Sequence, residues 1–216
     1  MTIGTRTRAH ALCAALTALT LLFFAAGACA KGQAAPAEKT TLDNLLAAYN
    51  GESNAHARYL AFAAKADEEG FGQAASLFRA VARAEQVHYE RHAEVIRKLG
   101  GTPEAKIETP SVKTTKENLE EAVKGETYET EVMYPAFLAQ AKKEKKADAV
   151  DAFEDAKAAE AVHAGWYKKV LANLDGWKGA KKEFSVCPVC GNVVDVLPGP
   201  ACPICLTDTK KFIPVR

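Results

Sequence analysis

The chain has 216 residues, 48% hydrophobic and 25% charged, which is enough for one well-packed domain and a small appendage. Residues 1–30 hold Arg6 and Arg8 but no acid; without them 26 basic side chains face 27 acidic ones, a net of −1 against +1 for the whole chain. Near-neutrality without a basic stripe argues against nucleic acid as the main partner.

The chain opens with Arg6 and Arg8, then "ALCAALTALTLLFFAAGACA", an apolar run ending in small residues, which reads as an export signal over 1–30. Two cleavage patterns fit. "ACA" before Lys31 suits an ordinary signal peptidase, whereas "AGAC" at Ala26–Cys29 resembles a lipoprotein signal in which a lipid on Cys29 would be the membrane attachment. An uncleaved anchor ranks third, because the run is Ala-rich and barely long enough to span a bilayer. The expected location is the periplasm, free or lipid-anchored, with residues 31–40 as a flexible tether.

Four long helical segments follow, at about 41–68, 72–99, 114–145 and 147–174, the third opened by a capping box at Thr114-x-x-Glu117. Between the second and third lies "GGTPEAKIETPSVK", too long for a tight turn and suited to a crossover along a bundle. After Gly176, "GWKGAKK" reads as a linker, and short β-like stretches surround cysteines in 184–216. The expected architecture is an all-α four-helix bundle over 41–176, with a long crossover between helices two and three, and then a small β-rich metal domain. The helical part repeats without a gap: aligning Tyr59 with Tyr134 pairs Phe78 with Phe153, Glu85 with Glu160 and His88 with His163.

At alternating three- and four-residue steps helix two presents Phe78, Val81, Glu85, His88, His92, Val95 and Leu99. Helix four presents Phe153, Ala156, Glu160, His163, Tyr167, Val170 and Leu174, an apolar seam again interrupted by Glu and His. Glu52 on helix one, and Glu126 and Glu129 on helix three, fall on similar stripes. Burying one lone charge costs several kcal/mol, so five carboxylates in one core need cations among them. Four carboxylates would neutralise two divalent ions, and oxygen with imidazole suits iron, manganese or zinc. One Glu and His pair on a helix is usually a solvated face; two in repeat register on the seam are not. His92 reads as a core or supporting residue, His56 as a surface or inter-helix one. Tyr59 and Tyr134 read as packing residues beside the metals, and both are carried as catalytic candidates.

Cys13 and Cys29 fall in the signal region, leaving Cys187, Cys190, Cys202 and Cys205 as C-x2-C-x11-C-x2-C. Paired knuckles of this kind place four thiolates tetrahedrally around zinc or a single iron, and the spacing does not choose between them. Two disulfides are the bland alternative, disfavoured by the strain of closing adjacent knuckles. The small core here, Phe184, Val194, Phe212 and Val215, leaves metal to supply much of the folding energy.

"GESNAHARY", "AEQVH", "GETYETEVMYPAF", "AEAVH" and the two knuckles together resemble rubrerythrin, a ferritin-like di-iron bundle followed by a rubredoxin-like domain, over about 41–216. The resemblance implies two non-haem irons with Glu52 and Glu126 as terminal ligands, Glu85 and Glu160 bridging, and His163 on the second iron. His88 and Glu129 would exchange on the first iron as its oxidation state changes, and Cys187, Cys190, Cys202 and Cys205 would hold one more iron, or zinc. It implies a peroxidase that reduces hydrogen peroxide, fed by an unidentified redox donor protein. It also implies a homodimer or larger assembly in which the cysteine domain of one chain serves the bundle of another. Ferroxidase activity, or non-catalytic iron storage with a structural zinc, are the rivals. Glu52 precedes Tyr59 by seven residues but Glu126 precedes Tyr134 by eight, so the third helix should absorb one residue as a π-bulge that turns Glu129 inward. Asn192 stands where such proteins usually carry an aromatic residue, and export is unusual among them.

Overall fold

The computed structural model describes residues 39–216; the expected export signal, Cys29 and most of the tether lie outside the described residues. Helix α1 runs Thr41–Glu68 and α2 Gly72–Lys98. The third bundle helix is continuous but changes pitch: α3 spans Thr115–Tyr128, a π-helical turn spans Glu129–Met133, and α4 spans Tyr134–Lys143. Helix α5, Ala147–Ala172, completes the bundle. No helix among the described residues is long and apolar enough to cross a membrane.

Local chemistry sets the ends. Thr114 and Glu117 form the expected capping box, and Thr40 with Asp43 forms a second one that opens α1. The crossover has no regular structure and is strapped to α1 by two side chains. Asn50 Oδ1 accepts from Lys106 N at 2.8 Å, and Asn54 Oδ1 accepts from Glu108 N at 2.8 Å. The π-turn sits where the sequence has its extra residue. Pro135, at the start of α4, has no N–H to give the preceding turn, and Thr130 Oγ1 donates to the Glu126 carbonyl at 2.8 Å.

The cysteine module is a three-stranded antiparallel sheet, ordered β2-β1-β3, of Phe184–Val186 (β1), Val193–Val194 (β2) and Ile213–Val215 (β3). It shares the bundle's core. Phe184, Val186 and Val193 pack into the cluster built from Tyr59, Phe78 and Tyr167, whereas Phe212 packs with the cysteines. The stretch read as a linker is packed as well. Trp177 is buried and stacks on Phe184 at 6.4 Å, and Gly179 N donates to Gly70 O across the α1–α2 turn. Large apolar side chains on both sides of this segment gain more from burial than a free tether would retain in entropy.

Candidate metal centres

Midway along the bundle, Glu52, Glu85, Glu126, Glu160 and His163 are fully buried and His88 nearly so. Two groups of four donors form: Glu52, Glu85, His88 and Glu160, then Glu85, Glu126, Glu160 and His163, each with its donor atoms within 4.8 Å of one another. Glu85 and Glu160 belong to both. Each turns one oxygen to each imidazole: Glu85 Oε2 lies 3.0 Å and Glu160 Oε1 2.8 Å from His88 Nδ1, while Glu160 Oε2 lies 2.7 Å and Glu85 Oε1 3.7 Å from His163 Nδ1. The rings are 6.0 Å apart and 28° from parallel.

The tautomer follows from the far side of each ring. His88 Nε2 lies 3.0 Å from the Cys190 carbonyl, and His163 Nε2 lies 3.0 Å from the Gly191 carbonyl. A carbonyl only accepts, so each Nε2 carries a proton, and a ring that is neutral, as a metal ligand must be, would present a bare Nδ1 to the carboxylates. One oxygen of each carboxylate, Glu52 Oε2, Glu85 Oε1, Glu126 Oε2 and Glu160 Oε1, is buried without a hydrogen-bond partner. Glu160 Oε1 is near His88 Nδ1 but not aligned for a bond. Lone pairs converging with no protons between them are what a pair of cations requires, so the residues fit two metal ions.

Without ions the site is frustrated. Burial, then Glu160 and Glu85, pushes Glu52 well above its ordinary range; burial followed by the same two carboxylates does so for Glu126. Burial pulls both imidazoles down, but the carboxylates, Glu160 foremost, outweigh it and hold them well above their usual value. Burial likewise pushes Glu160 up, yet the two imidazoles hold it below the carboxylate range.

Glu129 lies in the π-turn, at the edge of the site and outside both donor groups. Burial and then Glu52, Glu126 and Glu160 raise its carboxyl well above normal. Tyr59 OH donates to Glu126 Oε1 at 2.5 Å, and Tyr134 OH donates to Glu52 Oε1. The catalytic candidates Tyr59 and Tyr134 thus touch ligand carboxylates. His92 is fully buried and bonds to Tyr134, and His56 Nδ1 bridges α1 to α2 through the Ala82 carbonyl at 2.7 Å.

Cys187, Cys190, Cys202 and Cys205 are free thiols whose sulfurs lie within 4.8 Å of one another. Separations of 3.5 Å for Cys187–Cys205 and 3.6 Å for Cys190–Cys202 are close to the ~3.8 Å edge of a tetrahedron with ~2.3 Å metal–sulfur bonds, and far from the ~2.05 Å of a disulfide. The disulfide alternative is therefore overturned. The Asn192 amide lies 3.8 Å from Cys202 Sγ.

Two contributors escaped the sequence reading. Gly191 lets the first knuckle close on His88, since a Cβ there would overlap His88 Nε2. Trp166 Nε1 donates to the Val193 carbonyl at 2.9 Å and pins β2 to α5. The Gly after the knuckle was the one signal for the first; nothing in the pattern marked the second. Both carbonyl contacts form between the bundle and the cysteine module of the same chain.

The rubrerythrin family model matches residues 43–171. Nigerythrin of Nitratidesulfovibrio vulgaris is 40% identical over 174 residues, 80% of this chain and 85% of that protein. Rubrerythrin of Porphyromonas gingivalis is 31% identical over 182 residues, 82% and 90% of the two chains. The structure of fully reduced, all-ferrous nigerythrin superimposes with a TM-score of 0.76 at 35% identity, covering 85% of this chain and 91% of that one. The fold is thus a ferritin-like bundle with a rubrerythrin-type di-iron site, followed by a rubredoxin-like four-cysteine module. A family match across the helical part, joined to relatives that run on through the cysteine module, makes this chain a member of the rubrerythrin family.

Proposed function

We propose that the chain is a peroxidase that reduces hydrogen peroxide to water and protects against oxidative stress, with electrons entering through the four-cysteine site. The observation that carries this reading is the pair of donor groups sharing Glu85 and Glu160, with each imidazole hydrogen-bonded to the first knuckle. Two irons held there would supply the two electrons that cleave the O–O bond. Glu52 and His88 would hold one ion and Glu126 and His163 the other, with Glu85 and Glu160 shared between them. Cys187, Cys190, Cys202 and Cys205 hold the third iron.

Four carboxylates would balance two divalent ions, so Glu129 would stand apart as an acid while His88 ligates. Oxidation of such a pair would add two positive charges; Glu129, on losing its proton and taking the place of the neutral His88 imidazole, would offset one of them. Two protons are needed to turn peroxide into two waters, and the Glu129 carboxyl is a buried acid beside the site able to give one. We further propose export, which would place the electron donor outside the cytoplasm.

The test is metal analysis of anaerobically purified protein with a peroxide assay of the reduced form. Three irons per chain and a red colour that bleaches on reduction are expected; a colourless cysteine site filled with zinc would favour the storage reading. Glu129→Ala should keep its metals while peroxide turnover falls by one to two orders of magnitude, on the order of what loss of a positioned acid costs. Unchanged turnover would contradict the exchange.

A further inference from the structure

The two halves of the bundle are copies, yet the side chains that support their metal positions differ, most directly behind the two tyrosines. Tyr59 donates to Glu126 in one half and Tyr134 to Glu52 in the other. Behind each tyrosine the repeat places a different side chain, Tyr167 behind Tyr59 and His92 behind Tyr134. The Tyr167 ring lies 5.5 Å from that of Tyr59, but its hydroxyl is buried without a partner. His92 Nε2 instead lies 3.0 Å from the Tyr134 hydroxyl. Tyr59 has a different neighbour, the Arg58 guanidinium 5.4 Å from its ring centre.

Proton counting fixes the direction of this chain of bonds. A phenol has one proton, and the Glu52 carboxylate, as a metal ligand, can only accept it. His92 therefore carries its proton on Nε2 and donates to the phenol oxygen, leaving Nδ1 as a bare lone pair, which has no partner. Burial, then the neighbouring His88, holds the imidazole neutral by lowering it to about 3. With its oxygen engaged from behind, the phenol cannot turn its proton away from Glu52 Oε1. Glu52 Oε2 is left alone for the metal.

We propose that His92 is a positioning residue for the first metal position, locking Tyr134 so that Glu52 offers a single, fixed oxygen. Glu52 is the one ligand of that position that neither bridges nor exchanges, so it must hold the ion while His88 and Glu129 trade places. The inference rests on the di-iron site and not on peroxidase activity. It adds His92 to the features that make the two metal positions unequal.

The experiment is an anaerobic Co(II) titration of the full chain with zinc in the cysteine site, reading the two binding steps separately. His92→Leu should weaken one step about 10-fold or more, in the ~10–100-fold range typical of losing such a partner, and leave the other unchanged. His92→Gln, whose amide nitrogen reaches the place of Nε2, should restore the step, while His92→Asn, reaching only the Nδ1 place, should not. Tyr134→Phe should reproduce the loss, and adding His92→Leu to it should cost nothing more. Tyr167→Phe should change neither step. Equal weakening of both steps, no weakening at all, equal behaviour of Gln and Asn, or additivity with Tyr134→Phe would overturn the proposal. Should the Leu variant fail to fold, the Gln and Asn pair decides. An iron-dependent peroxide assay plays no part in the outcome.

Discussion

Gly191 and Leu206 occupy the same place in the two knuckles, the residue after the second cysteine, and both have positive φ, +75° and +62°. Leu206 shows that the turn accepts a side chain where there is room, for it is 78% exposed. Gly191 is therefore required less by the turn than by the ring of His88 pressed against it. Gly191→Ala should cost about 1–2 kcal/mol from the backbone conformation. It should also weaken metal binding at the His88 position about tenfold, because the ring loses its fixed carbonyl partner. Thermal unfolding and Co(II) titration check both, with Leu206→Ala as the control expected to move neither. The donors themselves were legible at this scale, since Glu85, His88, Glu160 and His163 are charged or polar where the seam should be apolar. Gly191 was not, because it acts on a residue 103 positions earlier and periodicity carries no information at that range.

The π-turn over Glu129–Met133 is the one break in an otherwise regular bundle. It was legible as a one-residue mismatch between two repeats, because a single added residue in an α-helix must either rotate everything after it or be absorbed locally. Deleting Thr130 restores the seven-residue spacing found between Glu52 and Tyr59. The shortened protein should fold, retain its metals, and keep His88 as a ligand in both oxidation states, with turnover lowered by on the order of 10²-fold. Normal turnover with an unbroken α-helix would sink the role given to this turn. The four helices and the crossover could also be read from pattern and capping. The packed segment around Trp177 could not, because composition marks its Gly and Lys residues as linker-like while the partners that bury Trp177, Trp166 and Phe184, are far away or across a domain boundary.

Across the whole molecule, protons and metals compete for the same buried groups, and this sets opposite pH responses. Glu52, Glu85, Glu126 and Glu129 are raised above an ordinary 4.5, and His88 and His163 above 6.5. A group raised on folding lends stability that is complete below its unfolded value and is lost as pH climbs through its folded one. Glu160 is lowered and has the reverse sign, but its loss falls only under strong acid. Metal-stripped protein should therefore melt at progressively lower temperature between about pH 5 and pH 8. Loaded protein should show the opposite slope, because acid displaces the ions by protonating their ligands. Calorimetry of both forms tests this, and parallel slopes would mean that the buried cluster does not hold the cations. The same competition explains why the interior could be diagnosed from the helix stripes at all: no apolar core keeps seven such groups without a reason.

The two hydrogen bonds from the imidazoles to the first knuckle have unequal fates in the proposed cycle. His163 would keep its place, so its link to the Gly191 carbonyl would stay closed between the two kinds of metal site. If His88 withdrew as Glu129 arrived, its bond to Cys190 would open like a relay contact. One lead would then stay closed throughout turnover while the other, by making or breaking, would report whether the bundle is ready to receive the next electron.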